Sequence, residues 1–158
     1  MMTKVKAAGV FLIRKDDKIL ICHPTNHKPT MWSIPKGKLD GDETALSAAI
    51  RETFEETNID LSEHKIMIEL EPVNYGHKKK ILYPFIIHEH VNTHLNWDSW
   101  VIKCNSNVPE ERGGFPEMDD YKWVTISEAR TLLHETQVAC LDDIEAFIHS
   151  EEYTKKNW

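Results

Sequence analysis

Two apolar runs, "AAGVFLI" (7–13) and "KILICH" (18–23), flank the charged turn "RKDD", a pattern that predicts two strands of a hairpin. Residues 23–37 carry three prolines and a glycine and read as a loop, with one short strand at Trp32–Ile34. A helix is expected from about Thr44 to Thr57, capped by Asp42 or Thr44. "KIMIELEPV" (65–73) alternates, with Ile66, Ile68 and Leu70 on one face of a half-buried strand. "ILYPFII" (81–87) is apolar on both faces, and Pro84 assigns it to an edge or a bulge. "SWVIKC" (99–104) is a further strand candidate, and "YKWVTI" (121–126) closes the sheet. Ser127 is the expected cap of a short helix ending near Leu133. A last helix over about 136–149 places Val138, Leu141, Ile144 and Phe147 at helical spacing. Strands, a helix, strands and then helices define an α+β class, or a mixed α/β/α sandwich.

On the helix over 44–57, at about 100° per residue, Leu46, Ile50, Thr53, Phe54 and Thr57 share the side expected to be buried. Glu52 and Glu56 are four residues apart and lie together on another side, near Ala45, Ala48 and Ala49. Small residues there should leave open space above the two carboxylates. Arg51 is four residues from Glu55 and is expected to pair with it, leaving Glu52 and Glu56 without a cation. Like charges this close repel. Either the face is simply solvated, or a positive group belongs there. Hard carboxylate oxygens suit Mg²⁺ or Mn²⁺, which take a few carboxylates, several waters and a substrate phosphate.

Length and composition narrow the setting. The 158 residues, 41% apolar, suffice for a single domain over 1–158 with a sizeable core. A net charge of −7 argues against an extended nucleic-acid surface, which needs a basic face. It does not exclude a small phosphorylated substrate, because a bound metal can supply the positive charge. Cys22, Cys104 and Cys140 are odd in number and widely spaced, as expected of reduced thiols in a cytoplasmic protein. The early apolar run, Ala7–Ile13, is too short to span a membrane, and no longer one follows. Oligomeric state is not legible.

The charged stretch fits a longer pattern, Gly37, Glu43, Arg51–Glu52 and Glu55–Glu56, or G-x5-E-x7-R-E-x-x-E-E. Here the chain resembles the Nudix hydrolases, whose box continues to an aliphatic residue, matched by Ile59, and so covers 37–59. The "AGVFLI" strand, the "WSIPKG" approach and the late "YKWV" strand extend the resemblance along most of the chain. Thr53 departs from the family's aliphatic residue; it faces the core, and its hydroxyl can bond the preceding turn. Asn58 departs from the family's glycine, but asparagine is the next-best residue for a left-handed helix end.

The resemblance implies a Nudix-type α/β/α sandwich and water attack on the pyrophosphate of a nucleoside diphosphate linked to another moiety, with Mg²⁺ (or Mn²⁺) as cofactor. It implies Glu52 and Glu56 as metal ligands, the Gly37 carbonyl as another, and Glu55 on a further metal or a metal-bound water. Arg51 would orient a glutamate and Glu43 would support. Lys36 and Lys38 are candidates for substrate phosphate. "PEMDDYKWV" resembles RNA pyrophosphohydrolases and marks Glu117 as a catalytic acid outside the box, with Asp119, Glu110 and Glu111 as rivals. "WSIPKG" resembles dinucleoside polyphosphate hydrolases, so the expected partner is a small nucleotide with a polyphosphate chain. The alternatives are hydrolysis of ADP-ribose or nucleotide sugars, a catalytically silent nucleotide-binding regulator, and a diphosphate isomerase using Cys22 or Cys104. Among weaker features, lysines 78–80 could meet polyphosphate, Trp97 and Trp100 could stack a base, and Tyr75 and Tyr83 lie in a substrate-binding region. His88, His90 and His94 match no usual zinc spacing.

Overall fold

A computed structural model describes residues 4–66, 68–77 and 79–150. Strand β1 (Val5–Ile13) is central. On one side it runs parallel to β6 (Lys80–His88), in register from Val5–Lys80 to Ile13–His88. On the other it is antiparallel to β2 (Ile19–Pro24) at one end and to β3 (Lys36–Lys38) at the other. The sheet order is β4-β6-β1-β2-β7, with β3 also on β1 and β5 also on β6; β4 is Ile68–Glu69, β5 Val73–Tyr75 and β7 Met118–Val124.

The continuous apolar run of β1 follows from burial on both faces. Ala8, Val10 and Leu12 enter the cluster under helix α1 (Ala45–Thr57). Phe11 and Ile13 enter the opposite cluster, under α2 (Ile126–Leu132) and α3 (Glu135–Ile148), with Ala129, Leu141 and Ile144. The chain is therefore an α+β protein in which a mixed sheet lies between α1 and the α2–α3 layer. Each large aliphatic residue buried this way contributes about 1.5–3 kcal/mol.

Several expectations need correction. Leu46 and Phe54 are 38% and 45% exposed, whereas Ala48, Ala49, Thr53, Glu56 and Thr57 form the buried face of α1. The alanines let the helix lie close on β1, so they leave no open space and carry Glu56 inward. Residues 99–104 form no strand. Trp97–Ser99 is a 3₁₀ turn, after which Lys103 N–H donates to Thr57 O (3.1 Å) and Asn105 N–H to Glu55 O (2.7 Å). This segment's hydrogen bonds go to carbonyls that a helix end leaves unpaired. β6 is an inner strand, with Pro84 at the gap between its two antiparallel partners, β4 and β5. The 23–37 loop contributes β3, β7 begins at Met118 rather than Tyr121, and α2 is capped by Thr125 in a capping box with Glu128. Thr44 caps α1, accepting from Ser47 N–H.

Both departures in the box behave as the sequence suggests. Thr53 Oγ1 donates to Ala49 O at 2.7 Å. Asn58 is left-handed (φ 66°, ψ 12°) and ends α1, its N–H donating to Phe54 O. Its side chain adds bonds to Val101 O and Asn105. Asn58→Gly keeps the backbone and loses only these exposed bonds, whereas Asn58→Val places a β-branched residue in the left-handed region at about 1–2 kcal/mol. Thermal melts should show a clearly lower Tm for Val than for Gly; equal values would contradict the assigned role.

Candidate active site

The box acids are held between α1 and the backbone of β3. Antiparallel pairing with β1 fixes Lys36 and Gly37 above the helix. Lys36 N–H donates to Glu56 Oε1 at 2.9 Å, and Glu56 is 3% exposed. Gly37 touches Glu52 so closely that a Cβ there would lie 2.0 Å from Cδ of its carboxylate. Glycine is required at this position because the carboxylate takes the space of a side chain.

Arg51 reaches further than its helical spacing implies. Its guanidinium forks onto Glu43, with both bonds at 2.9 Å, and also donates to Glu52 (2.9 Å), Glu55 (3.1 Å) and the Lys38 carbonyl (2.8 Å). Glu52 therefore does have a cation, contrary to expectation. Glu56 has a backbone N–H and no cation within ion-pair distance among the described residues. Arg51 holds the Glu43 carboxyl down to about 2, helped by the Asp40 N–H. Glu43 is committed to this pair and fastens the loop to the helix.

Glu52 and Glu56 show the opposite behaviour. Burial, with repulsion from Glu55 and Glu117, pushes Glu52 up to about 7 against the pull of Arg51. Burial raises Glu56 well above the carboxylate range, and Glu52 and Glu117 raise it further against the Lys36 N–H. These are two partly desolvated acids whose ionised forms lack sufficient positive charge. Glu117, just before β7, acts electrostatically on both; its N–H donates to Ser106 O and its C=O accepts from Thr25 N–H. Of its rivals, Asp119 is bound to His23 at 2.6 Å, and Glu110 folds against Gly114 on an exposed turn.

The two lysines part company. The Lys36 ammonium is lowered chiefly by burial, lies within the fields of Glu56 and Glu52, and sits 5.6 Å from the centre of the Tyr75 ring. Lys38 is exposed and borders a separate cleft with Lys4, Lys6 and Asp42.

Among the described residues, no three His, Cys, Asp or Glu side chains form a ready-made metal cage. The donor set still fits a hard divalent cation. It is all oxygen, its carboxylates are under-neutralised, and Mg²⁺ characteristically keeps waters and substrate oxygens as most of its ligands.

The remaining candidates divide clearly. Trp97 is buried and stacks on Trp100 at 4.5 Å, so this pair serves packing rather than a base. His88 is buried, stacks on His90 and contacts Asp17; burial lowers it to about 4. Lys78 lies outside the described residues, while Lys80 sits over Tyr75 and Tyr83 packs into the α1 cluster. Cys22 is fully buried and its thiol is raised by that burial, the reverse of an activated nucleophile. Sequence reasoning missed Tyr121, whose hydroxyl donates to the Glu56 carbonyl, and Asn105, whose side chain donates to the Phe54 carbonyl. With Lys103 N–H and Asn105 N–H, they satisfy the last carbonyls of α1. No local pattern marks them, because they act across more than 45 residues of chain.

Comparison with known proteins agrees with this geometry. The NUDIX domain family matches residues 3–144. An RNA pyrophosphohydrolase of Pelagibacter ubique is 23% identical over 137 residues, covering 86% of this chain and 85% of the relative. The asymmetrical bis(5′-nucleosyl)-tetraphosphatase of Caenorhabditis elegans is 29% identical over 131 residues, covering 79% and 82%. The crystal structure of a C. elegans Ap4A hydrolase superposes with a TM-score of 0.68 at 25% identity, covering 92% of this chain and 99% of that one. A loop–helix box with every acid in place, an α/β/α sandwich around it and a family match over most of the sequence lead to one conclusion: the chain belongs to the Nudix family of hydrolases, which act on phosphoanhydride bonds.

Proposed function

We propose that the chain is a divalent-metal-dependent pyrophosphohydrolase of small nucleotides carrying a polyphosphate chain, with a dinucleoside polyphosphate as the leading candidate. The observation that carries this reading is the pair of acids against Lys36–Gly37, Glu56 buried and Glu52 partly buried, without enough cation to balance them. Glu52 and Glu56, with the Gly37 carbonyl, would hold Mg²⁺ or Mn²⁺, and Glu55 would reach a further ion or its water. The ion supplies neutralisation of phosphate charge and a more acidic water. Arg51 orients Glu52 and Glu55 while Glu43 anchors Arg51. Glu117 would accept the water's proton, and the Lys36 ammonium would meet a phosphate oxygen. The retention of every box acid supports catalysis over a silent regulatory role, and the reduced cysteines support a cytoplasmic setting.

Substrate class is decided by kinetics on a panel of nucleotides with Mg²⁺ and Mn²⁺, products identified by mass. kcat/KM for diadenosine tetraphosphate or a 5′-triphosphate nucleotide should exceed that for ADP-ribose by more than ~10-fold, about 1.4 kcal/mol in the transition state. Equal or better turnover of ADP-ribose or a nucleotide sugar would overturn this choice of substrate.

Glu56→Gln keeps the acceptor for the Lys36 N–H and removes the charge. Activity should fall at least ~10²-fold, and near-normal turnover at saturating Mg²⁺ would refute the assignment. A raised carboxyl pKa adds stability that is complete below the unfolded value and is lost as pH rises through the folded one. Metal-free protein should therefore lose Tm between about 4.5 and about 7, the ordinary and shifted values of Glu52. Glu56→Gln should flatten that loss, and Mg²⁺ should reverse it in the wild type; a flat wild-type profile would contradict the charge crowding.

In Gly37→Ala the three atoms nearest the new Cβ are those of the Glu52 carboxyl, the far end of a long side chain. Tm should change little while activity falls ~10²-fold or more as that carboxylate is displaced. Unchanged activity would show that Glu52 need not sit where it does.

A further inference from the structure

Arg112 is the feature that the site as described does not use. Arg14, Arg51 and Arg130 each bond carboxylates, whereas Arg112 makes no ion pair among the described residues, despite Glu110 and Glu111 beside it. It stands on a defined hairpin. Asn107 and Pro116 form a bridge, and Val108 N–H donates to Phe115 O at 2.8 Å. The turn closes through Arg112 N–H and Gly114 N–H, both donating to Pro109 O. Gly113 and Gly114 both have positive φ, and a Cβ on Gly113 would strike the Phe115 ring at 2.8 Å. Gly113, having no Cβ, lets that ring lie against the turn.

The hairpin faces the turn that follows β2. Thr25 joins the two, its N–H donating to Glu117 O and its hydroxyl to Pro116 O. Between them lies a cavity of about 490 Å³, with Val108, Phe115 and Met118 among its apolar walls and Arg112, His27 and Glu117 as polar groups. Apolar walls with a few polar groups are the usual make-up of a small-ligand site. Glu117, which lines this cavity, donates its N–H to Ser106 O, and the neighbouring Asn105 N–H donates to Glu55 O, so the cavity lies beside the end of α1 that carries the acids.

We infer that this cavity binds a nucleoside phosphate portion of the substrate adjoining the cleaved phosphoanhydride, the Arg112 guanidinium taking a phosphate and the Phe115 ring covering the base. The assignment rests on the reading of the acids as a phosphoanhydride-cleaving centre. Glu117 repels an anion at its end of the cavity, which places the phosphate at the Arg112 side. An unpaired guanidinium suits this role because its fork matches two phosphate oxygens.

The test pairs kinetics with direct binding. On the best substrate from the nucleotide panel, Arg112→Ala should raise KM by ~10-fold or more, as for loss of a charge-assisted bond, with kcat changed by less than ~3-fold. Arg112→Lys should recover part of that loss, and Phe115→Ala should raise KM at least ~5-fold. Arg112 is exposed and unpaired, so its variants should melt with the wild type. Binding of an ATP analogue with methylene bridges, measured by calorimetry in Mg²⁺, should weaken by ~10-fold in Arg112→Ala. An unchanged KM, a loss confined to kcat, no binding of the analogue, or equal binding by wild type and Arg112→Ala overturns the inference. If the wild type hydrolyses no nucleotide, the functional reading fails, and the binding comparison still decides the cavity.

Discussion

Two carboxylates pressed against the backbone of Lys36 and Gly37 are the constraint around which this molecule is arranged. Burying ionised groups is unfavourable unless partners meet them. Here Glu56 receives one N–H, Glu52 shares one overloaded guanidinium, and both are pushed toward their neutral forms. The fold does not relieve this crowding from within. Arg51 is spread over Glu43, Glu52 and Glu55, and the Lys36 ammonium, itself partly desolvated, feels the attraction of Glu56 and the repulsion of Lys80. The charge deficit is a local feature of α1 and β3, and in the proposed reading a divalent cation and a phosphate complete it.

Keeping such a site in place requires a rigid frame. β1 supports α1 through small residues, Ala48 and Ala49 over Ala8 and Val10, so the helix lies near the sheet and β3 can lie over its acidic side. At its far end the last carbonyls of α1 are taken by Asn58, Lys103, Asn105 and Tyr121. The cavity beside Glu117 uses the same economy of means: a glycine-built hairpin and a proline turn joined through Thr25. In the proposed reading the chemistry lies where three separate stretches of chain, 24–37, 45–57 and 104–118, are joined by hydrogen bonds.

The legibility of the sequence follows from these distances. The box acids, the Thr53 hydroxyl and the left-handed Asn58 are legible because each depends on helical spacing or on one residue's backbone preference. The α+β class is legible in the order of strands and helices, and the last helix in the spacing of its apolar residues. The buried face of α1 is misread because size suggests Leu46 and Phe54, whereas close packing on a sheet favours alanine. Residues 99–104 have strand-like composition, but their partners are the carbonyls of a helix end. The reach of Arg51 to Glu43, the bracing by Tyr121 and the bonds of Thr25 to Pro116 and Glu117 are tertiary facts with no local signature.

The central claim of the proposed reading is that Glu52 and Glu56, whose carboxyls burial and mutual repulsion raise, give up protons when a divalent cation binds. Metal ligands must be deprotonated to bind, so the two events are linked. Calorimetry of Mn²⁺ binding near pH 7, in buffers of different ionisation enthalpy, counts those protons. Release of a substantial fraction of one proton or more per ion, fading as pH rises above the shifted value of about 7, is the result this account requires. Binding without proton release at any pH in that range, or no binding, would contradict it.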